Sequence, residues 1–288
     1  MKLQRSSFCA LGLAASGLFT VAAPADAAVV ISHPTFTGCG GNVTCVGDTS
    51  VVGGALRVSS AAAFVSGAGY STSAIALGTG ATFSTTFQFR ITDRGGIAPA
   101  DGFTFVVAAG TNGLGGAGGG LGYLGVNNSM AIEFDTYNNG EVGGSNHVGV
   151  NTNGALANNG VSPYGVSTCT AISGYTAGCM SNGDIWTATI DYDGTTNLLD
   201  VYVQDGAMAL QHVVNDYSID IDALLGTTSA FVGFTSATGS GWANHDILNW
   251  QLANDRSLGT PEVPEPGTLA LVGAALLGAG ALRRRAAA

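Results

Sequence analysis

From Ala81 to Ile91 the chain reads ATFSTTFQFRI, placing Phe83, Phe87, Phe89 and Ile91 at every second position with Thr85 as the one polar exception. Alternation with period two sends successive side chains to opposite faces, so this segment is constrained to a strand with one buried face. The pattern recurs at 186–192, WTATIDY, followed by Asp193-Gly194 and then LLDVYV at 198–203. An Asp-Gly pair between two such runs predicts a hairpin. Short apolar runs at 103–107, 130–134, 230–234 and 247–252 add further strands, and only 218–225 carries the signal of a helical turn. Many short strands at regular spacing predict an all-β sandwich or jelly roll. The 45 glycines follow no Gly-X-Y period and suit tight turns between strands.

Charge narrows the partners. Between Ala28 and Glu262 there are four arginines, no lysine and 17 acidic residues, a formal charge of −13. Such a surface repels nucleic acid and anionic lipid, whose phosphates need Lys and Arg. Neutral sugars and divalent cations remain compatible, although most of the acids need no role beyond solubility. The glycine run 113–120 is not followed by the helix that a phosphate-binding loop requires.

Residues 1–27 have the layout of an export signal: Lys2 and Arg5, an apolar stretch from Phe8 to Ala23, and Ala25-Asp26-Ala27 as a cleavage site. Residues 28–258 then form one domain, and 259–288 a distinct tail. In the tail, Val263-Pro264-Glu265-Pro266 precedes a 16-residue apolar run and Arg283-Arg284-Arg285. That run is short for a stable transmembrane helix, which needs about 20 residues. The arginines should stay cytoplasmic. This order resembles the PEP-CTERM sorting signal. The resemblance implies a Gram-negative source, transient inner-membrane anchoring, removal of the tail by an exosortase-type enzyme, and a cell-surface or extracellular-matrix destination. Cys9 leaves with the signal, and Cys39, Cys45, Cys169 and Cys179 remain. An even count on an exported chain suggests disulfides. Three pairings are possible, of which Cys39–Cys45 with Cys169–Cys179 closes two local loops. A four-cysteine zinc site is the rival, without a C-x2-C pair to support it.

Six segments, in order, resemble the L-type (legume-lectin-like) family: FSTTFQF from Phe83, ADGFTF from Ala100, GGGLG from Gly118, IEFDTY from Ile132, HVGVN from His147, and VGFTSATG from Val232 running on to HDILNW at 245–250. The resemblance spans roughly residues 30–253. It implies a concanavalin-like β-sandwich whose sugar site lies beside bound calcium, with glycans or exopolysaccharide as partners and self-association of the chain left open.

The residues themselves agree at the central segment. Glu133 and Asp135 are i and i+2 on a strand and point to one face. Side-by-side carboxylates repel unless a cation lies between them, and Tyr137, Asn138 and Asn139 follow with the oxygen donors that calcium takes. His147 adds an imidazole suited to a transition metal such as Mn2+. The resemblance assigns calcium to Asp135, the Tyr137 carbonyl and Asn139, and the transition metal to Glu133, Asp135 and His147. The loop 140–146 lacks the family's second Asp, so Glu141 or Asn146 would have to substitute or the transition-metal site is lost. For the sugar, the resemblance assigns the Asp101 side chain, preceded by a cis peptide, the amide of Gly120 or its neighbour Gly119, Asn139, the Tyr137 ring, and the backbone amides of Ser240 and Gly241. His245 is expected to be structural and His212 to lie on the surface.

Two other functions compete. Glycosidases of this fold use E-x-D-x-x-E, a nucleophile and an acid/base set close together. Here Asn138 stands at the last position, so hydrolysis is not expected. A structural matrix protein with a decayed sugar site is the alternative that the shortened loop keeps open. The tail makes a direct prediction: intact-mass analysis of protein exported by its native host should find no residues beyond about Pro266. A full-length C-terminus on the exported protein would make the tail a plain anchor.

Overall fold

The structure is a computed structural model that describes residues 28–110, 113–140, 143–163, 178–206, 208–254 and 258. Both predicted export segments, Glu141 and Cys169 lie outside these residues. Two eight-stranded antiparallel sheets pack face to face. The first runs in the order β14 (Gln211–Ser218), β13 (Leu198–Asp205), β12 (Trp186–Asp193), β7 (Phe83–Gly96), β16 (Gly241–Asn254), β4 (Ala55–Ser59) and β3 (Ser50–Val52), and β1 (Ala28–His33) also pairs with β16. The second runs β11 (Ala155–Pro163), β10 (His147–Thr152), β9 (Ser129–Asp135), β8 (Gly102–Ala108), β15 (Ser229–Ala237), β5 (Ser66–Ser71) and β2 (Val43–Gly47), with β6 (Ile75–Ala76) on β15. The all-β sandwich expected from the alternation is what forms.

The core lies between the sheets and is built from aromatic rings. Phe87 on β7 has its ring centroid within 6.3 Å of those of Phe89, Phe103, Phe105, Phe134 and Phe234. Phe103 and Phe134 stack at 4.8 Å, and Trp250 meets Phe234 edge-on at 5.1 Å. Buried indoles need an acceptor. Thr85, the polar break in the β7 alternation, supplies one: its hydroxyl accepts from Trp250 Nε1 at 3.0 Å and donates to the Gln251 carbonyl at 2.8 Å. Thr85 therefore belongs on the inward face.

Strands β8 and β9 are buried at every position, so both faces of the second sheet are covered at its centre. Tyr123 and Val126, from the connection between β8 and β9, cover the outer face against Tyr70, Val106 and Ala131. The expected helical turn is α1 (Ile221–Leu225), capped by the Asp220 side chain accepting from the Ala223 N–H at 2.8 Å. The β12–β13 connection is wider than a two-residue turn. It passes over Gly194–Asn197, with the Asp193 carboxylate accepting the Thr195 N–H at 2.8 Å. Gly194 is packed directly against Gly80, where a Cβ would meet the Gly80 backbone.

Cys39 and Cys45 form a disulfide with their Cα atoms 5.6 Å apart. Cys179 is also disulfide-bonded, and Cys169 falls outside the described residues. Among the described residues no helix is long and apolar enough to cross a membrane. Because Phe87 touches rings from both sheets, Phe87→Ala should cost about 3–5 kcal/mol. A urea midpoint measured with disulfides intact, at unchanged m-value, checks this. A loss well below 2 kcal/mol would mean that the ring layer is not the centre of the core.

Candidate functional site

Four connecting segments meet at one end of the second sheet. The first is the β7–β8 corner. The Ala100–Asp101 peptide is cis, the Asp101 N–H donates to the Ala237 carbonyl at 3.2 Å, and the Asp101 carbonyl accepts from the Thr136 N–H at 2.9 Å. Asp101 is thus held between the ends of β15 and β9 and is 4% exposed. Gly102, opposite Asp135, has φ 134° and lies against the Phe134 carbonyl, so no side chain fits there.

The second segment is the glycine run, which forms a 3-10 turn over Gly118–Gly120. The Gly120 N–H donates to the Ala117 carbonyl at 3.0 Å, so the amide singled out in the sequence is used within the turn. Gly119 is the residue that faces the third segment: a Cβ there would lie 2.5 Å from Asn139 Nδ2. A Cβ at Gly118 would lie 4.0 Å from Asp101 Oδ2.

The third segment is the turn after β9. Asp135 Oδ1 accepts the Tyr137 N–H at 2.7 Å, Tyr137 is half-buried, and Asn138, Asn139 and Gly140 are exposed. The fourth is the β15–β16 connection. Ser240 is exposed and its carbonyl accepts the Ile97 N–H at 3.4 Å, while Gly241 is buried at the start of β16 opposite Gly96. The member of this loop next to Asp101 is Gly239, where a Cβ would lie 3.5 Å from Asp101 Oδ2. The structure therefore brings Asp101, Gly118, Gly119, Asn139 and Gly239 together. Gly118 and Gly239 were not singled out in the sequence, because a residue inside Gly-Gly-Gly or Thr-Gly-Ser-Gly carries no positional signal. Trp242 packs against Gly95 and Gly96, away from this group.

A second cluster sits on the outer face of β9 and β10. Gly149 is opposite Glu133, with His147 and Asn151 two residues to either side. Glu133 Oε1 lies 2.9 Å from His147 Nε2, and Oε2 accepts from Asn151 Nδ2 at 2.6 Å. His147 Nδ1 lies 2.9 Å from the Gly144 carbonyl. All three side chains are buried. Among the described residues, no three His, Cys, Asp or Glu side chains converge as a metal ion would require. Asn146 has its amide in another place: Nδ2 donates to the Gly178 carbonyl at 2.7 Å and Oδ1 accepts the Met180 N–H at 2.9 Å. Glu141, the other candidate for the missing ligand, lies outside the described residues. The turn after β9 fits calcium in chemistry, since Asp135, the Tyr137 carbonyl and Asn139 offer hard oxygens close together in the chain.

Behind the site a buried polar chain joins the sheets. His245 Nδ1 lies 2.9 Å from Ser59 Oγ, Ser59 Oγ lies 2.7 Å from Ser236 Oγ, and the Ser236 hydroxyl donates to the Gly102 carbonyl at 2.7 Å. His245 is structural, as expected. His212 is at the surface, stacked on Tyr202 at 4.2 Å and 2.7 Å from Asp200.

By its relatives, this two-sheet sandwich belongs to a class of carbohydrate-binding, non-enzymatic proteins. The legume lectin domain family matches residues 31–265, most of the chain, and the chain belongs to that family. The PEP-CTERM protein-sorting motif matches residues 262–285, which supports export and cell-surface association. Favin of Vicia faba is 29% identical over 196 residues, covering 61% of this chain and 71% of favin. Leucoagglutinating phytohemagglutinin of Phaseolus vulgaris is 30% identical over 191 residues, 64% of each. The L-type lectin-domain receptor kinase VIII.1 of Arabidopsis thaliana is 29% identical over 179 residues, but the match spans only 24% of that protein. Among solved structures, the Bauhinia forficata lectin in complex with GalNAc superposes with TM-score 0.64 at 21% identity, over 77% of this chain and 96% of that one. Peanut lectin with a 9-residue peptide gives 0.65 at 21%, over 79% and 97%. At such identity these structures establish the fold. Legume lectins generally bind Ca2+ and a transition metal such as Mn2+.

Burial lowers the pKa of His245 from 6.5 to about 3, partly opposed by a backbone hydrogen bond at Ala243. The folded state thus holds the ring neutral, whereas the unfolded chain protonates it below its ordinary pKa. Stability should be intact above pH 6.5 and fall as the pH drops toward 3, by up to about 1.4 kcal/mol per pH unit from this residue. Urea midpoints across this range, compared with His245→Asn, check the assignment. An equally steep acid slope in the variant would transfer the effect to other groups.

Proposed function

We propose that the protein is a calcium-dependent lectin, exported and displayed at the cell surface or in the extracellular matrix, where it binds glycans or exopolysaccharide. The observation that carries this reading is the meeting of Asp101, Gly119, Asn139 and Gly239 from four separate segments. A carboxylate accepts hydrogen bonds from two sugar hydroxyls. A backbone N–H and an asparagine amide donate to sugar oxygens. In this assignment Asp101 is the acceptor, Asn139 a donor, and the 118–120 turn supplies the backbone donor from Gly119, since the Gly120 N–H is used inside the turn. The Tyr137 ring lies against the sugar, and the 238–241 loop, including Ser240 and Gly241, closes the site.

Calcium belongs to this reading through Asp135, the Tyr137 carbonyl and Asn139. Bound there, the ion would supply a fixed positive charge to the oxygens of the turn. The residues do the recognition: Asp135 gathers the turn through the Tyr137 N–H, and Asn139 joins that turn to Gly119. For a transition metal this reading offers Glu133, Asp135 and His147, of which Glu133 and His147 lie 2.9 Å apart. The loop 140–146 has no Asp to share between two metals, and that favours the other reading, a structural matrix protein with a decayed sugar site. The PEP-CTERM motif supports processing by an exosortase-type enzyme. The acidic surface, with four arginines and no lysine between residues 28 and 262, argues against nucleic acid as a ligand.

A glycan array followed by calorimetry, each in calcium and in chelator, tests the proposal. Binding should fall at least about 100-fold in chelator, a loss of about 2.7 kcal/mol or more. Asp101→Ala should lose sugar and keep calcium, and Asp135→Ala should lose both. Undiminished binding in chelator would remove calcium from the account. No binding in either condition would favour the structural protein.

A further inference from the structure

We infer that a cleft at the far end of β15 from Asp101 is a second carbohydrate site, built without charged residues and taking one uncharged sugar unit. Its walls are β1, the disulfide-closed loop that leads into β2, and the β5–β6 connection. The inference goes beyond the lectin reading above and does not depend on it. A chain with both sites would hold two glycan strands at once.

The cleft has a volume of about 280 Å³. That is just below the roughly 300–1,000 Å³ of sites for drug-sized ligands, so it suits a single ring. It lies between the two sheets, since β1 belongs to the first and the other two walls to the second. Ile75, on the β6 side of the cleft, is opposite Ala230 on β15. Asp101 is bonded to Ala237, seven residues further along the same strand. At about 3.3 Å per residue the two places are about 23 Å apart, too far for one sugar ring to reach both.

The walls are fixed before any ligand arrives. The Cys39–Cys45 disulfide closes the loop that carries Asn42. Thr72 ties that loop to the β5–β6 connection: its N–H donates to the Asn42 carbonyl at 3.1 Å and its hydroxyl to the Gly41 carbonyl at 2.7 Å. Ser71 is buried and accepts the Val232 N–H at 3.2 Å. On the first-sheet side the His33 ring is stacked on Phe36 at 4.9 Å and on Trp250 at 5.8 Å. A preordered site loses little entropy when a ligand enters.

What the walls leave free defines the ligand. None of the ten lining residues is Asp, Glu, Lys or Arg, in a domain that carries 17 acids between residues 28 and 262. Burial lowers the pKa of His33 below its ordinary 6.5, which keeps the ring neutral at pH 7. A charged ligand would lose its water there without a countercharge to replace it. The side chains of Ser32, His33, Asn42 and Ser73 line the cleft and make no hydrogen bond to the described residues. Their hydroxyl, amide and imidazole groups both donate and accept. Val30, Ile31 and Ile75 add an apolar wall. A sugar ring has the matching make-up, with hydroxyls around its edge and C–H groups on its faces.

The test uses the mature protein in calcium with Asp101→Ala, so that the other site is silent. Methyl glycosides of glucose, galactose, mannose and N-acetylglucosamine are titrated, with methyl glucuronide as the charged comparison, and the assigned His33 ring signals are followed by NMR. At least one neutral glycoside should shift these signals saturably, and the glucuronide should bind at least about tenfold more weakly. Asn42→Ala should weaken the neutral glycoside about three- to tenfold, as expected for one lost hydrogen bond. Ser73→Trp, at an exposed position on the rim, should abolish the shift with the urea midpoint unchanged. No shift with any of the four neutral glycosides, or a saturable shift that survives both substitutions, overturns the second site. Glucuronide binding as tight as that of the neutral sugars overturns the uncharged ligand class. None of these outcomes touches the Asp101 site, whose own test uses the unsubstituted protein in calcium and in chelator.

Discussion

The phenylalanine layer between the sheets sets the spacing from which every site segment departs. Phe103 on β8, Phe134 on β9 and Phe234 on β15 all contact Phe87 on the opposite sheet. These strands also lead into the segments of the candidate site. Asp101 lies two residues before Phe103, Asp135 directly follows Phe134, and Thr238 comes four residues after Phe234. The rings that pack the core therefore also fix where the site segments begin, to within the tolerance of a close-packed interior. The buried chain from His245 through Ser59 and Ser236 to the Gly102 carbonyl adds a polar tie at the same end. Such a chain is favourable only while its members are paired, because each unpaired buried polar group costs about 1–3 kcal/mol.

A second, thinner core places the glycine run. Tyr123 and Val126 bury against the outer face of the second sheet. The Tyr123 hydroxyl lies 2.8 Å from Ser129 Oγ and accepts the Gly154 N–H at 3.2 Å, and the Thr235 hydroxyl donates to the Leu121 carbonyl at 2.8 Å. A glycine-rich segment loses more backbone freedom on ordering than any other. It becomes ordered here because its C-terminal continuation is anchored. The absent side chain at Gly119 then has a direct consequence, since the Asn139 amide occupies the space a Cβ would need.

Much of this was legible from periodicity, and the limits are instructive. The β7 alternation survives its break at Thr85 because that hydroxyl serves a tryptophan, which no local pattern announces. The buried runs of β8 and β9 signalled burial but not what covers them, since periodicity reports faces and not partners. Sheet order was not legible either: β7 sits between β12 and β16, far apart in sequence. Among site residues, Asp101 and Asn139 stood out through their flanking motifs. Gly239 did not, because consecutive glycines differ only in three dimensions.

The two carboxylates of β9 show how one strand carries two different electrostatic solutions. Glu133 is buried, and its oxygens lie against His147 and Asn151 of the neighbouring strand. Removing either partner would leave a buried oxygen without its hydrogen bond, a loss of about 1–3 kcal/mol. Asp135 is two residues nearer the end of the sheet, where the exposed turn 138–140 begins, and it accepts the Tyr137 N–H. Both carboxylates are buried, Glu133 at 1% and Asp135 at 3% exposure. The first is held by side chains of β10, whereas the second gathers the backbone of the turn that follows it. The shortened 140–146 loop fits this division, because Asn146 uses its amide to hold the 178–180 backbone. Glu133, His147 and Asn151 thus tie β9 to β10 within the sheet, while Asp135 orders the turn that carries Tyr137 and Asn139.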